Sequence, residues 1–148
     1  MRFVIQRVSR ASVTVDSRTV SEIDSGFLVL VGVFAEDTKA DADKMVKKLC
    51  GLRIFADGNG KTNLALADVG GELLMVSQFT LCADCRHGNR PSFSGAGPAA
   101  FAEDMFNYIC GLAEQNVPVV KRGVFGADMQ VELLNDGPFT IVLDSKEL

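Results

Sequence analysis

The spacing of apolar residues in the first part of the chain predicts β-structure. Residues 2–8 alternate apolar and polar side chains and are rich in β-branched residues, which is typical of a strand. Residues 11–15 and 18–23 have the same character and flank Asp16-Ser17, which predicts a hairpin. Residues 26–34 form a nearly continuous apolar run, and such a run favours a central strand that is covered on both faces.

Two later segments instead repeat their apolar residues at helical spacing. Residues 39–50 carry an apolar stripe, and the preceding Thr38 can cap a helix there. Pro98 suits the first turn of a second helix. The stripe of that helix consists of Phe101, Met105, Phe106, Ile109, Leu112 and Ala113. The remaining strands are predicted at residues 53–55, 117–120, 129–134 and 139–143, with a short irregular or helical link at residues 63–67.

Residues 73–81, Leu-Leu-Met-Val-Ser-Gln-Phe-Thr-Leu, combine an apolar strand with a polar end. The apolar residues run without alternation, and then Ser77, Gln78 and Thr80 follow within four positions. Polar groups at the end of a strand that is buried on both faces need hydrogen-bond partners or a ligand. Taken alone, the stretch is better explained as a strand end whose side chains cap neighbouring backbone. A polar loop, residues 82–97, follows and is long enough to be functional.

Length and composition predict one globular domain, residues 1–148. Hydrophobic residues make up 47% of the 148 residues and charged residues 23%, which is ordinary for a chain with a real core. No apolar run approaches the roughly 20 residues of a membrane-spanning helix. The first ten residues also lack the pattern of a signal peptide. We therefore expect a cytoplasmic protein that makes no contact with a membrane.

Cysteine usage argues against a disulfide framework and against a metal site. Four cysteines without an export signal predict reduced thiols. Cys82 and Cys85 form a C-x-x-C pair, but no second pair follows at zinc spacing, and the single histidine, His87, lies too close in sequence. We predict no metal and no cofactor. A thiol or zinc protein built on these three residues remains an alternative.

The net charge of −4 argues against a protein that coats nucleic acid without specificity, because phosphate binding needs an excess of Lys and Arg. A small basic patch is still compatible with this charge. Its candidates are Arg86, His87 and Arg90 in one loop, and Lys121 and Arg122 in another. Each of them taken alone is better explained as a solvated loop charge.

Two stretches of the chain resemble the two signature motifs of D-aminoacyl-tRNA deacylases. They are residues 77–81, Ser-Gln-Phe-Thr-Leu, and residues 135–140, Asn-Asp-Gly-Pro-Phe-Thr. Similar segments occur in the order and spacing of that family from the first residue to about Ser145. They are residues 4–8, 63–64, 69–72, 90–93 and 125–129. The chain is accordingly identified as a member of this family over nearly its whole length.

The resemblance implies an α/β fold, namely a three-layer β/β/α sandwich with a mixed sheet, in a homodimer. It implies hydrolysis of the ester that joins a D-amino acid to the terminal adenosine of tRNA, as chiral proofreading in translation. Glycyl-tRNA mischarged on a non-cognate tRNA is implied as a second substrate. The expected partners are the aminoacylated end of tRNA and a second copy of the chain.

The resemblance also assigns roles to individual residues. Gly137 and Pro138 are expected to form a cis peptide that one subunit offers to the pocket of the other, where its carbonyl groups exclude an L side chain. Arg7 is expected to hold that motif, and Met129 to contact the substrate as well. The residues expected at the catalytic pocket are Ser77, Gln78, Phe79 and Thr80. Those expected to contact tRNA are Arg86, His87, Arg90 and Phe93.

The loop at residues 82–88 departs from the family pattern. The family usually has Tyr-Ala-Asp-Thr-Arg-Lys-Gly where this chain has Cys-Ala-Asp-Cys-Arg-His-Gly. His87 in place of a lysine weakens the positive charge near the expected tRNA acceptor end at neutral pH.

Ester hydrolysis requires a nucleophile, a proton acceptor and donors that stabilise an oxyanion. Thr80 supplies a hydroxyl, but His87 is the only imidazole and the sequence does not place it near Thr80. A Ser-His-Asp triad is therefore not expected. Backbone N–H groups near Phe79 and Thr80, together with the 2′-OH beside the ester, are the expected catalytic elements. An inactive nucleic-acid-binding or interaction module on the same fold remains the alternative.

Overall fold

The computed structural model describes every residue from Met1 to Leu148. The fold contains eight strands and two α-helices. The strands are β1 (Arg2–Val15), β2 (Arg18–Ile23), β3 (Gly26–Gly32), β4 (Arg53–Ala56), β5 (Thr62–Ala65), β6 (Glu72–Ser77), β7 (Val120–Arg122) and β8 (Gln130–Asp144). The helices are α1 (Lys39–Cys50) and α2 (Ala99–Glu114), and 3-10 turns occur at Ala67–Val69, Phe79–Cys82 and Ser145–Glu147.

Six of the strands form one mixed sheet in the order β2-β1-β3-β6-β7, with β8 paired to β1. Strand β1 is antiparallel to β3 along its first half, to β2 along its second half and to β8 along both. Strand β3 is parallel to β6, which is parallel to β7. Strands β4 and β5 form a separate antiparallel pair.

Two hydrophobic clusters lie on opposite faces of β3 and β6. The larger cluster packs α1 and α2 against the sheet, with Met45 and Ile109 from the helices meeting Phe27 and Met75 from the strands. The smaller cluster joins Leu28, Leu74 and Val76 to side chains of β1 and β2, including Val13 and Ile23. Strands β1 and β2 therefore cover the face of β3 and β6 that does not pack against the helices. The predicted α/β fold with a mixed sheet, helices and a single domain is confirmed, whereas the homodimer stays a prediction.

Helix α1 begins and ends at the predicted residues, 39 and 50. The Thr38 hydroxyl accepts a hydrogen bond from the Asp41 N–H, and the Asp41 carboxylate accepts one from the Thr38 N–H at 2.8 Å. This reciprocal capping box satisfies two N–H groups at the helix start, which is why the local sequence suffices to position it. Neither helix of the fold combines the length and the apolar character that crossing a bilayer demands.

The strand predicted at residues 73–81 is shorter than expected, because β6 ends at Ser77. Residues Phe79–Cys82 form a 3-10 turn instead, in which the Leu81 N–H donates to the Gln78 carbonyl. The turn packs against Gly32, where an added Cβ would come within 2.8 Å of the Leu81 Cβ. The missing side chain at Gly32 therefore lets the chain leave the sheet at this point.

Four other predictions differ from the structure. Residues 62–65 are a strand rather than an irregular or helical link, because they pair with β4. Strand β7 lies at residues 120–122 rather than 117–120, where it pairs with residues 73–75 of β6. Each of β1 and β8 is one long strand rather than two, because the two strands pair with each other along their length.

Candidate functional site

The polar end of β6 opens into a cavity of about 570 Å³. Ser77, Gln78 and Phe79 form one wall, and the segment at residues 125–129, with Met129, forms another. The end of β3, the 96–97 segment and the start of α2 complete the lining. Most of these side chains are hydrophobic, and Asp128 is the only one that ionises. The cavity thus offers a largely apolar space with a few polar groups at one side, as sites for small ligands do.

Gln78 and Thr80 are joined at the mouth of this cavity. The Gln78 side-chain amide donates a hydrogen bond to the Thr80 hydroxyl at 2.6 Å. Thr80 itself is exposed and is not among the residues that line the cavity. No imidazole or carboxylate is hydrogen-bonded to the Thr80 hydroxyl, and such a base is what a nucleophilic hydroxyl requires.

The 3-10 turn after β6 presents free backbone donors at the same edge. The first N–H groups of a helical turn have no acceptor within the turn, and here they belong to Phe79 and Thr80. No side chain caps this turn. Free N–H groups beside a cavity are suited to stabilising a developing oxyanion.

Two exposed aromatic rings lie next to this turn. Phe79 and Phe93 form an edge-to-face pair with their ring centroids 5.2 Å apart. Their exposed fractions are 58% and 38%. Exposed aromatic side chains of this kind are the usual stacking platform for unpaired RNA bases.

The predicted basic loop carries less free positive charge than its sequence suggests. The Arg86 guanidinium donates to the Asp84 carboxylate at 2.6, 2.9 and 3.1 Å. The hydrogen bonds from Arg86 lower the pKa of Asp84 to about 2, so the pair is fully ionised and internally balanced at neutral pH. His87 and Arg90 are exposed in the same loop.

Gly137 and Pro138 lie at the tip of a projection from β8. Their peptide bond is cis, Gly137 has a φ of 138°, and both residues are exposed. We refer to residues Asp136, Gly137 and Pro138 as the projecting loop.

Arg7 lies under this loop, and its side chain is only 14% exposed. Its guanidinium donates to the Asp136 carbonyl at 3.1 Å and to the Ile54 carbonyl. It also lies 4.9 Å from the centre of the Phe139 ring. Arg7 therefore connects the projecting loop to the β4–β5 pair.

The predicted site residues separate into two groups within one chain. Ser77, Gln78, Phe79 and Met129 line the cavity, whereas Arg7, Gly137 and Pro138 do not. The loop with Arg86, His87, Arg90 and Phe93 meets the first group through the Phe79–Phe93 contact.

Sequence reasoning assigned no role to several residues that line the cavity. Phe106, Phe125 and Asp128 are the largest of these omissions. Phe106 belongs to the apolar stripe of α2 and has the pattern of a core residue. Phe125 and Asp128 belong to residues 125–129, whose similarity to the family is the sequence signal that points to them. In the structure this segment contains a turn, marked by the positive φ of Gly126, 74°.

Cys82 and Cys85 have different environments. Cys82 is buried, its thiol donates to the Val33 carbonyl at 3.4 Å, and burial raises its pKa. Cys85 is exposed. No group of three or more His, Cys, Asp or Glu side chains converges anywhere in the chain. The structure places no further ligand beside Cys82 and Cys85, so it gives no additional support to the alternative of a zinc protein.

Comparison with known proteins gives a consistent result. The sequence model of the D-Tyr-tRNA(Tyr) deacylase family matches residues 4–144. The D-aminoacyl-tRNA deacylase of Anaeromyxobacter dehalogenans is 53% identical over 148 residues, which is 100% of this chain and 99% of the relative. That of Pseudomonas fluorescens is 52% identical over 145 residues, covering 98% of this chain and 100% of the relative.

Two solved structures share the fold. The c-Myc DNA Unwinding Element Binding Protein superposes with a TM-score of 0.93 at 42% identity, covering 97% of this chain and 98% of its own. A probable eukaryotic D-amino acid tRNA deacylase has a TM-score of 0.84 at 16% identity, over 96% and 97% of the two chains. With motifs, fold and full-length relatives in agreement, the chain belongs to the D-Tyr-tRNA(Tyr) deacylase family, and the prediction of a D-aminoacyl-tRNA deacylase is confirmed.

Proposed function

We propose that the protein hydrolyses the ester between a D-amino acid and the terminal adenosine of tRNA, as a chiral proofreading enzyme of the cytoplasm. One observation carries this proposal. The family motif at residues 77–81 forms the polar wall of a largely apolar cavity and carries free backbone N–H groups at its edge. A carbonyl group that is attacked by water needs such donors more than it needs a nucleophilic side chain.

In the proposed reaction, water adds to the ester carbonyl carbon. The negative charge that develops on the carbonyl oxygen is stabilised by the N–H groups of Phe79 and Thr80. The C–O bond to the ribose then breaks, and the ribose oxygen leaves with a proton while the amino acid is released. No imidazole lines the cavity, so the 2′-OH of the ribose and water relay the protons.

Ser77 and Gln78 position the aminoacyl group in this proposal. Both line the cavity at the end of β6, where Ser77 pairs with Val31 of β3 and the Gln78 N–H donates to the Val31 carbonyl at 2.8 Å. A rigid strand end fixes the reacting carbonyl relative to the N–H groups, and such positioning is a large part of catalysis when no side chain does chemistry.

Selection against L-amino acids would come from a second copy of the chain. The projecting loop is exposed and does not line the cavity of its own chain. In a homodimer, the loop of one subunit would enter the cavity of the other, and its backbone carbonyl groups would clash with an L side chain.

Binding of the tRNA end would use the aromatic pair of Phe79 and Phe93 together with His87 and Arg90. The exposed rings offer stacking to an unpaired base, and the two basic side chains offer contacts to phosphate. Arg86 adds little charge while it is paired with Asp84.

The decisive experiment is single-turnover deacylation of glycyl-, D-alanyl- and L-alanyl-tRNA on the same tRNA body. Glycine has no side chain to clash, so we expect glycyl- and D-alanyl-tRNA to be hydrolysed and L-alanyl-tRNA to be spared. The gap should exceed the roughly 1 to 3 kcal/mol that one methylene contributes in an apolar pocket. Resistance of glycyl-tRNA would show that the cavity recognises a D side chain, which contradicts exclusion.

A second candidate function is nucleic-acid binding without hydrolysis. It is favoured by the structural similarity to the c-Myc DNA Unwinding Element Binding Protein at 42% identity. The net charge of −4 and the balanced Asp84–Arg86 pair weaken it. Binding to duplex DNA with no release of D-amino acid from D-aminoacyl-tRNA would favour this candidate over the deacylase.

A further inference from the structure

The pairing between β1 and β8 is interrupted at the projecting loop. Val8 pairs with Asn135 and Gln6 pairs with Thr140, so the single residue Arg7 on β1 lies opposite residues 136–139 on β8. A regular ladder would place one residue there. The extra residues on β8 break the regular ladder register beside Arg7 and Phe139.

The side-chain amide of Asn135 occupies this gap. Its Oδ1 accepts a hydrogen bond from the Phe139 N–H at 2.9 Å. Its Nδ2 donates to the Phe139 carbonyl at 3.0 Å and to the Arg7 carbonyl at 3.3 Å. One carboxamide thus bonds to three backbone groups at the interruption of the ladder.

Only Asn among residues of this size can make these contacts together. Oδ1 must accept and Nδ2 must donate, and the amide has one group of each kind. A carboxylate keeps the acceptor but loses the donor, and it places a negative charge beside two carbonyl oxygens. Removal of the side chain leaves all three partially buried backbone groups without this partner, which destabilises the loop in its native position.

The position of Asn135 determines what these bonds control. It joins the two ends of the projecting loop, since Asn135 precedes Asp136 and Phe139 follows Pro138. Arg7 holds the same loop from below through the Asp136 carbonyl. Arg7 thus restrains the first residue of the projecting loop, Asp136. Asn135 restrains the two ends of the loop relative to each other and to β1.

We propose that Asn135 is a positioning residue for substrate selection. It holds the two ends of the projecting loop together and fixes the direction of the Gly137 and Pro138 carbonyl groups. The proposal rests on the proposed function, in which these carbonyls exclude L side chains. A carbonyl excludes by clash only while it cannot move aside, so a loosened loop admits L-aminoacyl groups while the cavity stays intact.

The first test is the ratio of single-turnover rates on D-alanyl- and L-alanyl-tRNA. Asn135→Asp should raise the rate on L-alanyl-tRNA at least tenfold and change the rate on D-alanyl-tRNA less than threefold. Asn135→Ala should show a larger effect in the same direction. A merely structural role would lower both rates together, so an unchanged ratio in a folded variant overturns the proposal.

Asn116→Asp is the matched control. The Asn116 amide also donates to a backbone carbonyl, that of Leu112 at 2.8 Å, but it lies two residues beyond the end of α2. The same change of amide to carboxylate should leave the ratio of the two rates unaltered. A shift as large as that of Asn135→Asp would mean that the effect does not arise at the projecting loop.

The second test needs no substrate, so it separates this proposal from the proposed function. Hydrogen exchange of the Phe139 N–H should be slow in the wild type and in Asn135→Asp, which keeps the acceptor, and fast in Asn135→Ala. Slow exchange in Asn135→Ala would contradict the proposed role of Asn135, whatever the enzyme hydrolyses. Absence of deacylation by the wild type, with exchange as expected, would instead contradict the proposed function alone.

Discussion

Individual side chains at the cavity provide contacts and orientation rather than acid–base chemistry. The Thr80 hydroxyl accepts from the Gln78 amide, and the only ionisable residue that lines the cavity is the exposed Asp128. Catalysis at such a site depends on placement of the substrate and on fixed dipoles. Substitutions that remove a hydroxyl group at this site should therefore lower the rate of hydrolysis only modestly.

Thr80→Ala is expected to lower the single-turnover rate less than about tenfold, which corresponds to about 1.4 kcal/mol of transition-state stabilisation. The reason is that no base activates the hydroxyl, so its loss removes only the contact with Gln78. Thr80→Ser, which restores a hydroxyl, serves as the control. A loss of several orders of magnitude in folded Thr80→Ala, recovered in Thr80→Ser, would identify Thr80 as the nucleophile.

Asp84→Asn should strengthen tRNA binding. The carboxylate is ionised at neutral pH because the hydrogen bonds from Arg86 lower its pKa to about 2, and it balances the guanidinium. Release of Arg86 should steepen the dependence of log K on log salt by about 0.7 to 0.9 for one additional phosphate contact.

Asp16→Asn, the same loss of charge in the exposed β1–β2 turn, is the control for Asp84→Asn and should leave the slope unchanged. Filter binding at several salt concentrations measures both variants. Weaker binding by Asp84→Asn would show that the ion pair orients Arg86 for tRNA.

At the scale of elements, close backbone contact between β3 and β6 positions the polar end of β6. The two strands begin side by side at Gly26 and Glu72. A Cβ built on Gly26 would lie 1.9 Å from the Glu72 carbonyl oxygen, so only glycine fits there. The position of β6, which carries Ser77 at its end, therefore depends on Gly26 at the start of β3.

Gly26→Ala should destabilise the protein by about 3 kcal/mol or more, at or beyond the upper end of the range for overpacked sites, because the clash is with backbone. Gly111→Ala is the matched control. No atom lies within 4 Å of a Cβ built on Gly111 inside α2, so alanine should stabilise the helix by about 0.5 to 1 kcal/mol. Urea unfolding of both variants measures the difference. Similar midpoints would refute the close approach of β3 and β6.

At the scale of the whole molecule, the cavity and the projecting loop are separate parts of one chain, and β8 has features of an interface. Strand β8 pairs with β1 alone, so its other edge is unpaired. It also exposes Leu134 and Val142, with exposed fractions of 49% and 59%. Unpaired edges and exposed apolar side chains are common at contacts between subunits.

Val142→Lys should therefore weaken the proposed homodimer and lower deacylation in parallel. A charged side chain in an apolar contact loses hydration without gaining a partner. Val69→Lys, at an exposed valine in a 3-10 turn outside β8, is the control. Light scattering and single-turnover assays measure assembly and activity. An active wild-type monomer would rule out sites that are shared between subunits.

Much of the architecture follows from the sequence alone, because its causes are local. Helix α1 is capped by Thr38 through contacts with Asp41, three residues away, and its apolar stripe selects the buried face. The run at residues 26–34 likewise predicts a strand that is buried on both faces, as β3 is. The motifs at residues 77–81 and 135–140 identify the family without knowledge of the fold.

The tertiary structure decides the rest, because it depends on residues that are distant in sequence. Strand β6 ends at Ser77 where the following turn packs on Gly32, and the cavity forms only when residues 125–129 meet that turn. The extra residues opposite Arg7 appear only once β1 and β8 are paired, and that pairing alone brings the Asn135 amide to the Arg7 carbonyl. Local pattern predicts an element, whereas register and packing between elements determine which side chains meet.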